Sequence, residues 1–434
     1  MYRQLHQKSF LMLLCCLFLF LAACGQGAST TQPPFATQVP PTNIPVQPTL
    51  TSCPRPGTAR AVVMTPLILG THQNIVYILN HYLGTTPVAL LVRYDVTTGS
   101  TRTILKLPNE EIEDATLSAD GQWVIFVSQE PGKPSSTLQM VRMDGQEFQT
   151  LYCSQEYPTN VLLSPDQKFL LFSISGQQDP AHEFGTYLLD MTSGKLQTEL
   201  LPSQEGGVYI PVKWRDNSSV YMTTAFTGAG DPASCVDLGL FLLQDITKDA
   251  THQQSNLQRI LDTGAQCVDF DVTPDNTHLA LSTHVVSRDS QQNGFVTGPS
   301  TIALQAITSG PAHTVYSSQQ LALMNVRAIS NKTLLFVVGG IGSATSQIGL
   351  WKMNTDGTEL TRLTTEKPSD IIDIPISPVS RDGTLYAIED ENSANGNFVQ
   401  SLLVGSLSGG KPMTLTSLPL DGDSGVQFIG WTTL

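Results

Sequence analysis

A unit of polar turn followed by apolar strand recurs along this chain. Each copy begins with a turn rich in Asp, Asn, Pro and Gly and continues as a run of apolar and β-branched residues. The copies are SADGQWVIF from Ser118, SPDQKFLLF from Ser164, RDNSSVYM from Arg215, TPDNTHLAL from Thr273, SNKTLLFVV from Ser330 and SRDGTLYAI from Ser380, with a degenerate first copy, THQNIVYIL, from Thr71. Their spacing of about 46 to 59 residues is the period of a four-stranded β-propeller blade.

A second pattern lies between these copies. Each interval holds an alternating strand, a turn with Asp, Asn or Gly, and another strand; the clearest example is GLWKMNTDGTELTRLT at 349–364. Such turn residues tolerate positive φ, and period-2 alternation marks strands. One unit is therefore predicted as four antiparallel strands.

We predict an all-β protein, a seven-bladed β-propeller of four-stranded antiparallel blades, with six or eight blades as alternatives. The last segment, VQFIGWTTL at 426–434, follows the seventh hairpin and resembles the strand that precedes the turn in other copies. We expect 426–432 to close the ring by pairing with the first blade, since closure removes sheet edges. A pair of β-sandwiches is the second choice, and the long period counts against it.

The SPDG-type turn with a later Asp–Gly hairpin resembles the TolB-like, WD-type propeller repeat over roughly residues 60–434. Ser330-Asn331-Lys332 and the first copy depart from the pattern. The resemblance implies the fold and carries almost no information on function.

The N-terminus has the order of a secretory signal: the basic residues Arg3 and Lys8, the apolar run FLMLLCCLFLFLAA at 10–23, and Cys24. The run is shorter than the roughly 20 residues that span a bilayer. Leu21-Ala22-Ala23-Cys24 resembles the lipobox of bacterial lipoproteins, which implies a signal peptide over 1–23 and lipidation of Cys24. An ordinary secretory signal with a chance cysteine is the alternative.

Residues 24–57 combine eight prolines with many Thr and Gln, a composition typical of an extended, disordered tether. The domain plan is therefore a signal peptide (1–23), the lipidated cysteine with its tether (24–57) and the propeller (58–434). We expect localisation in the cell envelope, facing outside the cytoplasm, with the membrane as partner through the lipid anchor.

Charge bears on the choice of partner. The chain has 37 acidic and 23 basic residues and a formal net charge of −14. This acidity argues against nucleic acid as a partner, because phosphate-backbone binding needs basic patches. We expect a monomer.

Four cysteines remain after the signal segment and Cys24. An even number outside the cytoplasm allows two disulfides, and we favour Cys235–Cys267 within the propeller and Cys53–Cys153 fastening the tether. Four unpaired thiols remain the alternative. No Cys/His pattern predicts a zinc site.

Short fragments that resemble catalytic motifs carry little weight. Gly422-Asp423-Ser424-Gly425 copies four letters of a serine-protease nucleophile, His182-Glu183 begins a zincin motif without its second His, and Asp421 and Asp423 lack the other ligands of a calcium loop. The glycine run at 339–342 is interpreted as a loop between strands. We predict no catalytic residues, no cofactor and no metal.

Three sets of residues are candidates for a surface or a core role. The tryptophans are expected in the core between blades: Trp123, Trp214, Trp351 and Trp431. Two polar, Gly-rich insertions, roughly 226–238 and 285–300, are candidates for a binding face or for tolerated surface variation. If the protein is an enzyme, its catalytic carboxylates are expected on first strands, at the central channel. The candidates are Asp114, Asp269, Asp271 and Asp373.

We therefore predict a binding or scaffold module for a protein, peptide or glycan partner. The alternative is a propeller hydrolase or lyase with carboxylates gathered at the central channel. A solute-sensing lipoprotein coupled to a membrane partner is a third hypothesis.

Overall fold

In the computed structural model, each recurring unit folds into a four-stranded antiparallel sheet, and seven such sheets are present in the described part of the chain. All of that part belongs to one compact unit, Asn43–Leu434. The structure describes residues 52–55, 57–58, 66–68, 70–83, 86–133, 135–174, 185–197, 200–201, 207–226, 239–248, 256–261, 267–288, 294–308, 310–339, 345–364, 371–394, 397–419 and 424–433.

The strands follow the chain in order, four to a blade, except that the last strand joins the first blade. Blade 1 contains β1 (Gln73–Leu83), β2 (Thr86–Asp95), β3 (Ser100–Pro108) and β28 (Gly425–Thr433). Blade 2 contains β4 (Glu111–Leu117), β5 (Trp123–Gln129), β6 (Ser136–Arg142) and β7 (Gln149–Ser154). Blade 3 contains β8 (Pro158–Leu163), β9 (Phe169–Ile174), β10 (Gly185–Asp190) and β11 (Leu196–Gln197). Blade 4 contains β12 (Gly207–Trp214), β13 (Val220–Phe226), β14 (Leu240–Leu243) and β15 (Leu257–Leu261).

The other three blades complete the ring. Blade 5 contains β16 (Cys267–Val272), β17 (His278–Arg288), β18 (Gly294–Ala306) and β19 (His313–Ser318). Blade 6 contains β20 (Ala322–Ser330), β21 (Thr333–Gly339), β22 (Gly349–Asn354) and β23 (Thr361–Arg362), with a 3-10 helix at Thr345–Gln347 before β22. Blade 7 contains β24 (Ile371–Asp373), β25 (Leu385–Ala394), β26 (Asn397–Ser406) and β27 (Met413–Pro419).

The seven-bladed prediction is confirmed, and so is closure by the C-terminal strand. β28 lies beside β1 at the edge of the blade 1 sheet, in the place that β4 occupies in blade 2. The antiparallel register runs from Gln73 opposite Thr433 to Asn80 opposite Gly425. The first and last segments of the domain therefore share one sheet, and β28 covers the edge of β1 that would otherwise be unpaired.

The recurring turn lies between the first and second strands of a blade. In four copies a Ser or Thr hydroxyl donates to the Asp two residues later and accepts the backbone N–H five residues later. Ser118 shows the geometry, at 2.6 Å to Asp120 Oδ1 and 2.9 Å from Trp123 N. The other three turns begin at Ser164, Thr273 and Ser380.

The hydrophobic core consists of seven clusters among the described residues, and each cluster lies between two neighbouring blades. Strand β5 shows the reason: all seven of its residues, WVIFVSQ, are buried, with alternate side chains directed at blades 1 and 3. A strand covered on both faces reads as a continuous apolar run. The cluster with Ile75, Ala387 and Val426 joins blade 7 to blade 1 and closes the ring.

The tryptophans are buried or partly buried in these clusters, as predicted. Trp123 is 3% exposed in the cluster between blades 2 and 3, and Trp431 is 5% exposed in the closing cluster. Trp214 and Trp351 pack against the clusters between blades 3 and 4 and between blades 5 and 6.

One of the two insertions differs from the expected irregular loop. Most of 285–300 is strand, because β17 and β18 extend as a hairpin in which Val285 pairs with Thr297 and Arg288 with Gly294. The alternating, β-branched sequence of this stretch favours strand over loop. Of the insertion at 226–238, all but Phe226 lies outside the described residues. Within the described ranges, no helix has the length and apolar character needed to cross a membrane.

Candidate functional site: a polar pocket on blade 2

The carboxylates considered for the channel hold neighbouring blades together. Asp114 Oδ2 accepts the N–H of Val161 on blade 3 at 2.9 Å. Asp269 Oδ2 accepts the N–H of Asn325 on blade 6 at 2.9 Å, and Asp271 Oδ2 accepts that of Ala328 at 2.9 Å. The side chain of Asp373 lies outside the described residues.

Five first strands of the described blades contain a β-bulge, and the preceding blade contacts four of these bulges through a side chain. The five bulges lie in β4, β8, β12, β20 and β28. A bulge leaves backbone groups out of the sheet ladder. At β4, β8, β20 and β28 a side chain of the preceding blade accepts one of the N–H groups beside the bulge: Asn80 that of Ile112, Asp114 that of Val161, Asp269 that of Asn325, and Glu389 that of Phe428.

The three described first-strand carboxylates considered for the channel each accept a backbone N–H of the next blade. No group of three His, Cys, Asp or Glu side chains that could hold a metal ion is present among the described residues. Two His–Asp pairs occur in the described part of the chain: His72 Nδ1 lies 2.8 Å from Asp95 Oδ2, and His284 Nδ1 lies 3.7 Å from Asp269 Oδ2. The second pair includes one of the first-strand carboxylates, and its histidine is His284. The Nδ1 ring nitrogen of His284 is buried and has no hydrogen-bond partner within the described part of the chain.

The remaining sequence candidates have ordinary structural positions. Ser424 is 5% exposed directly before β28, so its hydroxyl is not presented to solvent as a nucleophile. Gly339 ends β21, in agreement with a loop between strands. The remaining glycines of that run and the fragments at His182-Glu183 and at 421–423 lie outside the described residues, as do Cys24 and the signal segment.

A disulfide joins Cys53 to Cys153, with an S–S distance of 2.15 Å and a Cα–Cα distance of 5.8 Å. It fixes the short segment 52–55 to β7, the fourth strand of blade 2. This is one of the two pairings favoured from the sequence. Cys235 and the side chain of Cys267 lie outside the described residues.

A pocket of about 280 Å³ lies beside this disulfide. Its floor is the face of blade 2 that carries Ser128, Thr137 and Gln139, which are neighbours on β5 and β6. On β5 this face also carries Phe126, which belongs to the cluster with blade 1. The pocket therefore lies on the side of blade 2 that packs against blade 1, where the apolar cluster gives way to polar side chains.

The floor of the pocket is a buried hydrogen-bond network centred on Ser128. Its hydroxyl is 2.6 Å from Glu110 Oε2, 3.0 Å from Gln139 Oε1 and 3.0 Å from Thr137 Oγ1. Ser128 and Gln139 are each 1% exposed. A buried polar network of this kind is held in one geometry when its members are paired.

The rim of the pocket is exposed and charged. Lys133 and Glu130 form an ion pair at 2.6 Å, with side chains that are 57% and 50% exposed. Gln129, which is 7% exposed, donates from Nε2 to the Lys133 carbonyl and the Tyr157 hydroxyl, both at 2.6 Å, and so fixes the loop that carries the rim. This pocket was not predicted from the sequence. The feature that could have indicated it is the polar ending, Ser128 and Gln129, of the otherwise apolar strand WVIFVSQ.

Comparison with known proteins finds similar folds among solved structures. No protein-family model matches the sequence, and the curated proteins include no match. Among solved structures, the chain is similar to oligopeptidase B from Leishmania major, at 12% identity and a TM-score of 0.51 over 82% of this chain and 50% of that chain. It is also similar to prolyl oligopeptidase B from Galerina marginata, at 9% identity and a TM-score of 0.52 over 80% of this chain and 52% of that chain.

TolB from Acinetobacter baumannii also matches, at 15% identity and a TM-score of 0.39 over 66% of this chain and 62% of that chain. The chain thus spans about half the length of the two peptidases and less than two thirds of TolB. At these identities the likeness to the two peptidases shows the propeller fold alone.

Proposed function

We propose that this protein is a membrane-anchored, extracytoplasmic β-propeller that acts as a binding or scaffold module for a protein, peptide or glycan partner. The observation that carries the proposal is the use of the first-strand carboxylates. Asp114, Asp269 and Asp271 accept backbone N–H groups of the next blade, so these carboxylates hold neighbouring blades together. A propeller stiffened in this way offers a rigid frame for recognition.

The disulfide supports a position outside the cytoplasm, because disulfides persist in oxidising compartments. The bond Cys53–Cys153 ties the segment that follows the proline-rich stretch to blade 2. In the proposed arrangement Cys24 carries the lipid and residues 25–52 span the distance to the propeller. The protein acts as a monomer, and its acidic charge disfavours nucleic acid.

The anchor is tested by metabolic labelling with an alkynyl fatty acid in a bacterium that processes lipoproteins. We expect the full chain to take up label and to sediment with membranes. Cys24→Ser is expected to lose the label, because the serine hydroxyl does not replace the thiol in lipid attachment. Cys15→Ser is the matched control and should remain labelled; a labelled Cys24→Ser protein would contradict lipidation at this position.

The binding role is tested with the full chain purified in detergent. It is applied to peptide and oligosaccharide arrays and, in parallel, to mixtures of peptide and glycoside substrates. Retention of one ligand class without turnover supports a binding module. Turnover that co-purifies with the protein would instead favour the hydrolase or lyase hypothesis.

A further inference from the structure

We propose that the blade 2 pocket binds an alkylammonium group, supplied by a lysine side chain of a peptide partner. This inference rests on the proposed binding function and names the chemistry that one part of the surface recognises. It is carried by the oxygen atoms gathered at the pocket floor and by the charge of Glu110.

The floor brings several side-chain oxygens close together. The Ser128 hydroxyl lies within 3.0 Å of three oxygens, those of Glu110, Gln139 and Thr137, yet it has a single hydrogen to donate. When it donates to the Glu110 carboxylate, it cannot also donate to the Gln139 carbonyl oxygen, which can then accept a hydrogen bond from a ligand. An ammonium group supplies three N–H donors and no acceptor, which suits a floor lined by these oxygens.

The charge of the pocket has the matching sign. At the rim Lys133 and Glu130 neutralise each other, so Glu110 remains as the uncompensated charge among the side chains that line the pocket. A charge-assisted bond from ammonium to carboxylate is stronger than a neutral one. The net charge of −14 on the whole chain also attracts cations.

Size and lining point to a side chain rather than a larger ligand. The volume of about 280 Å³ falls just below the roughly 300–1,000 Å³ of common small-molecule sites. None of the described residues that line the pocket is aromatic, so the pocket lacks a ring on which a sugar stacks. A single unbranched side chain with a terminal ammonium group fits these constraints.

The test is a titration of the full chain, purified in detergent, with N-acetyl-lysine amide, followed by ligand-detected NMR. N-acetyl-norleucine amide is the matched probe, because it keeps most of the aliphatic chain and lacks the ammonium group. We expect the lysine probe to bind at least about tenfold more tightly than the norleucine probe.

Two variants and one control locate the binding. Glu110→Gln should weaken the lysine probe at least about tenfold, since it removes the charge while keeping the shape. Lys133→Gln, at a position whose side chain is 57% exposed, should strengthen binding about two- to threefold by freeing Glu130. Glu147→Gln is the control, because Glu147 is an exposed residue of the same blade outside the pocket, and it should leave affinity unchanged.

Equal affinity for the two probes, or equal affinity of Glu110→Gln and the unaltered protein, would overturn the proposal. So would the absence of lysine binding. None of these results affects the labelling of Cys24 or retention on the arrays. The proposal for the pocket and the proposed binding function can therefore be disproved independently.

Discussion

Asp114 has a buried carboxylate that accepts a hydrogen bond from the next blade. Burial raises the pKa of Asp114 to about 6, although the backbone N–H groups of Val161, Ala115 and Asn160 act in the opposite direction. A folded-state pKa above the unfolded value means that the native protein prefers the protonated acid. The associated stability is present below about pH 4 and is lost as the pH rises through about 6.

We therefore predict that Asp114→Asn gains stability relative to the unaltered protein as the pH rises from 4 to 7. The gain is up to ~3 kcal/mol, because one pKa unit corresponds to about 1.4 kcal/mol. Urea unfolding of both proteins across this range measures the difference. A pH-independent difference would show that Asp114 does not titrate in this window.

Asp382 provides a control of opposite sign. The hydroxyl of Ser380, at 2.6 Å, lowers the pKa of Asp382. Its contribution is therefore present above the unfolded pKa and is lost as the pH falls through the folded one. The deficit of Asp382→Asn should shrink on acidification below about pH 4, whereas the advantage of Asp114→Asn shrinks between pH 7 and pH 4.

At the scale of strands, adjacent blades are linked both by the apolar clusters and by the side-chain hydrogen bonds to backbone N–H groups near the bulges. Asp271 is the most connected example. One oxygen accepts Lys213 Nζ of blade 4 at 3.0 Å, and the other accepts the N–H of Ala328 on blade 6 at 2.9 Å. Asp271 itself lies on blade 5 and is 7% exposed. Three blades therefore meet at one carboxylate.

We expect Asp271→Ala to lower the free energy of unfolding by about 2–4 kcal/mol, since it leaves an ammonium group and a buried N–H without this partner. The urea midpoint measures the loss. Asp356→Ala is the matched control. Asp356 lies in the turn between β22 and β23 and accepts hydrogen bonds from Thr358 of the same turn. Its substitution should lower the free energy of unfolding much less. Equal costs would show that the link between blades adds nothing to stability.

The length of a hairpin depends on pairing between its two strands. The hairpin of β17 and β18 is extended, and its distal part coincides with the stretch interpreted from sequence as an insertion. The content of Gly and polar residues suggested a loop, whereas the β-branched alternation and the cross-strand partners favour strands. Partners on a second strand are invisible when one stretch is considered alone.

Over the whole molecule, two connections tie the N-terminal part of the domain to the ring. β28 pairs with β1, and Cys53 is joined to Cys153 across a sequence separation of 100 residues. Arg381 adds a third contact around the closure, because its guanidinium donates to the carbonyls of Trp431 in blade 1 and Ala119 in blade 2. The ring is thus fastened where its two ends meet.

The double variant Cys53→Ser/Cys153→Ser should unfold more easily by about 2–4 kcal/mol, because a cross-link that closes a long loop restricts the unfolded chain. Urea unfolding without reductant compares the variant with the unaltered protein. Peptide mapping under non-reducing conditions should recover the Cys53–Cys153 cross-linked pair and reports independently on Cys235 and Cys267. Unchanged stability would indicate that the bond does not constrain the domain.

The seven blades, most of their hairpins and the closing strand follow from the sequence by itself, and the extended hairpin of blade 5 is the exception. These features are encoded in short contiguous segments: a Ser/Thr–Asp turn sets the corner, and alternation or a continuous apolar run sets the strand. The placement of the tryptophans follows for the same reason, since their strand positions repeat.

Only the tertiary structure decided what the carboxylates and the polar strand ends do. Asp114, Asp269 and Asp271 look like channel residues along the chain, but their partners lie on other blades, about 47 to 57 residues away. The pocket arises in the same way, because Glu110, Ser128, Gln139 and the disulfide come from separate segments that meet when blade 2 folds. Local pattern specifies each blade, whereas the chemistry of the surface depends on contacts between segments that are distant in sequence.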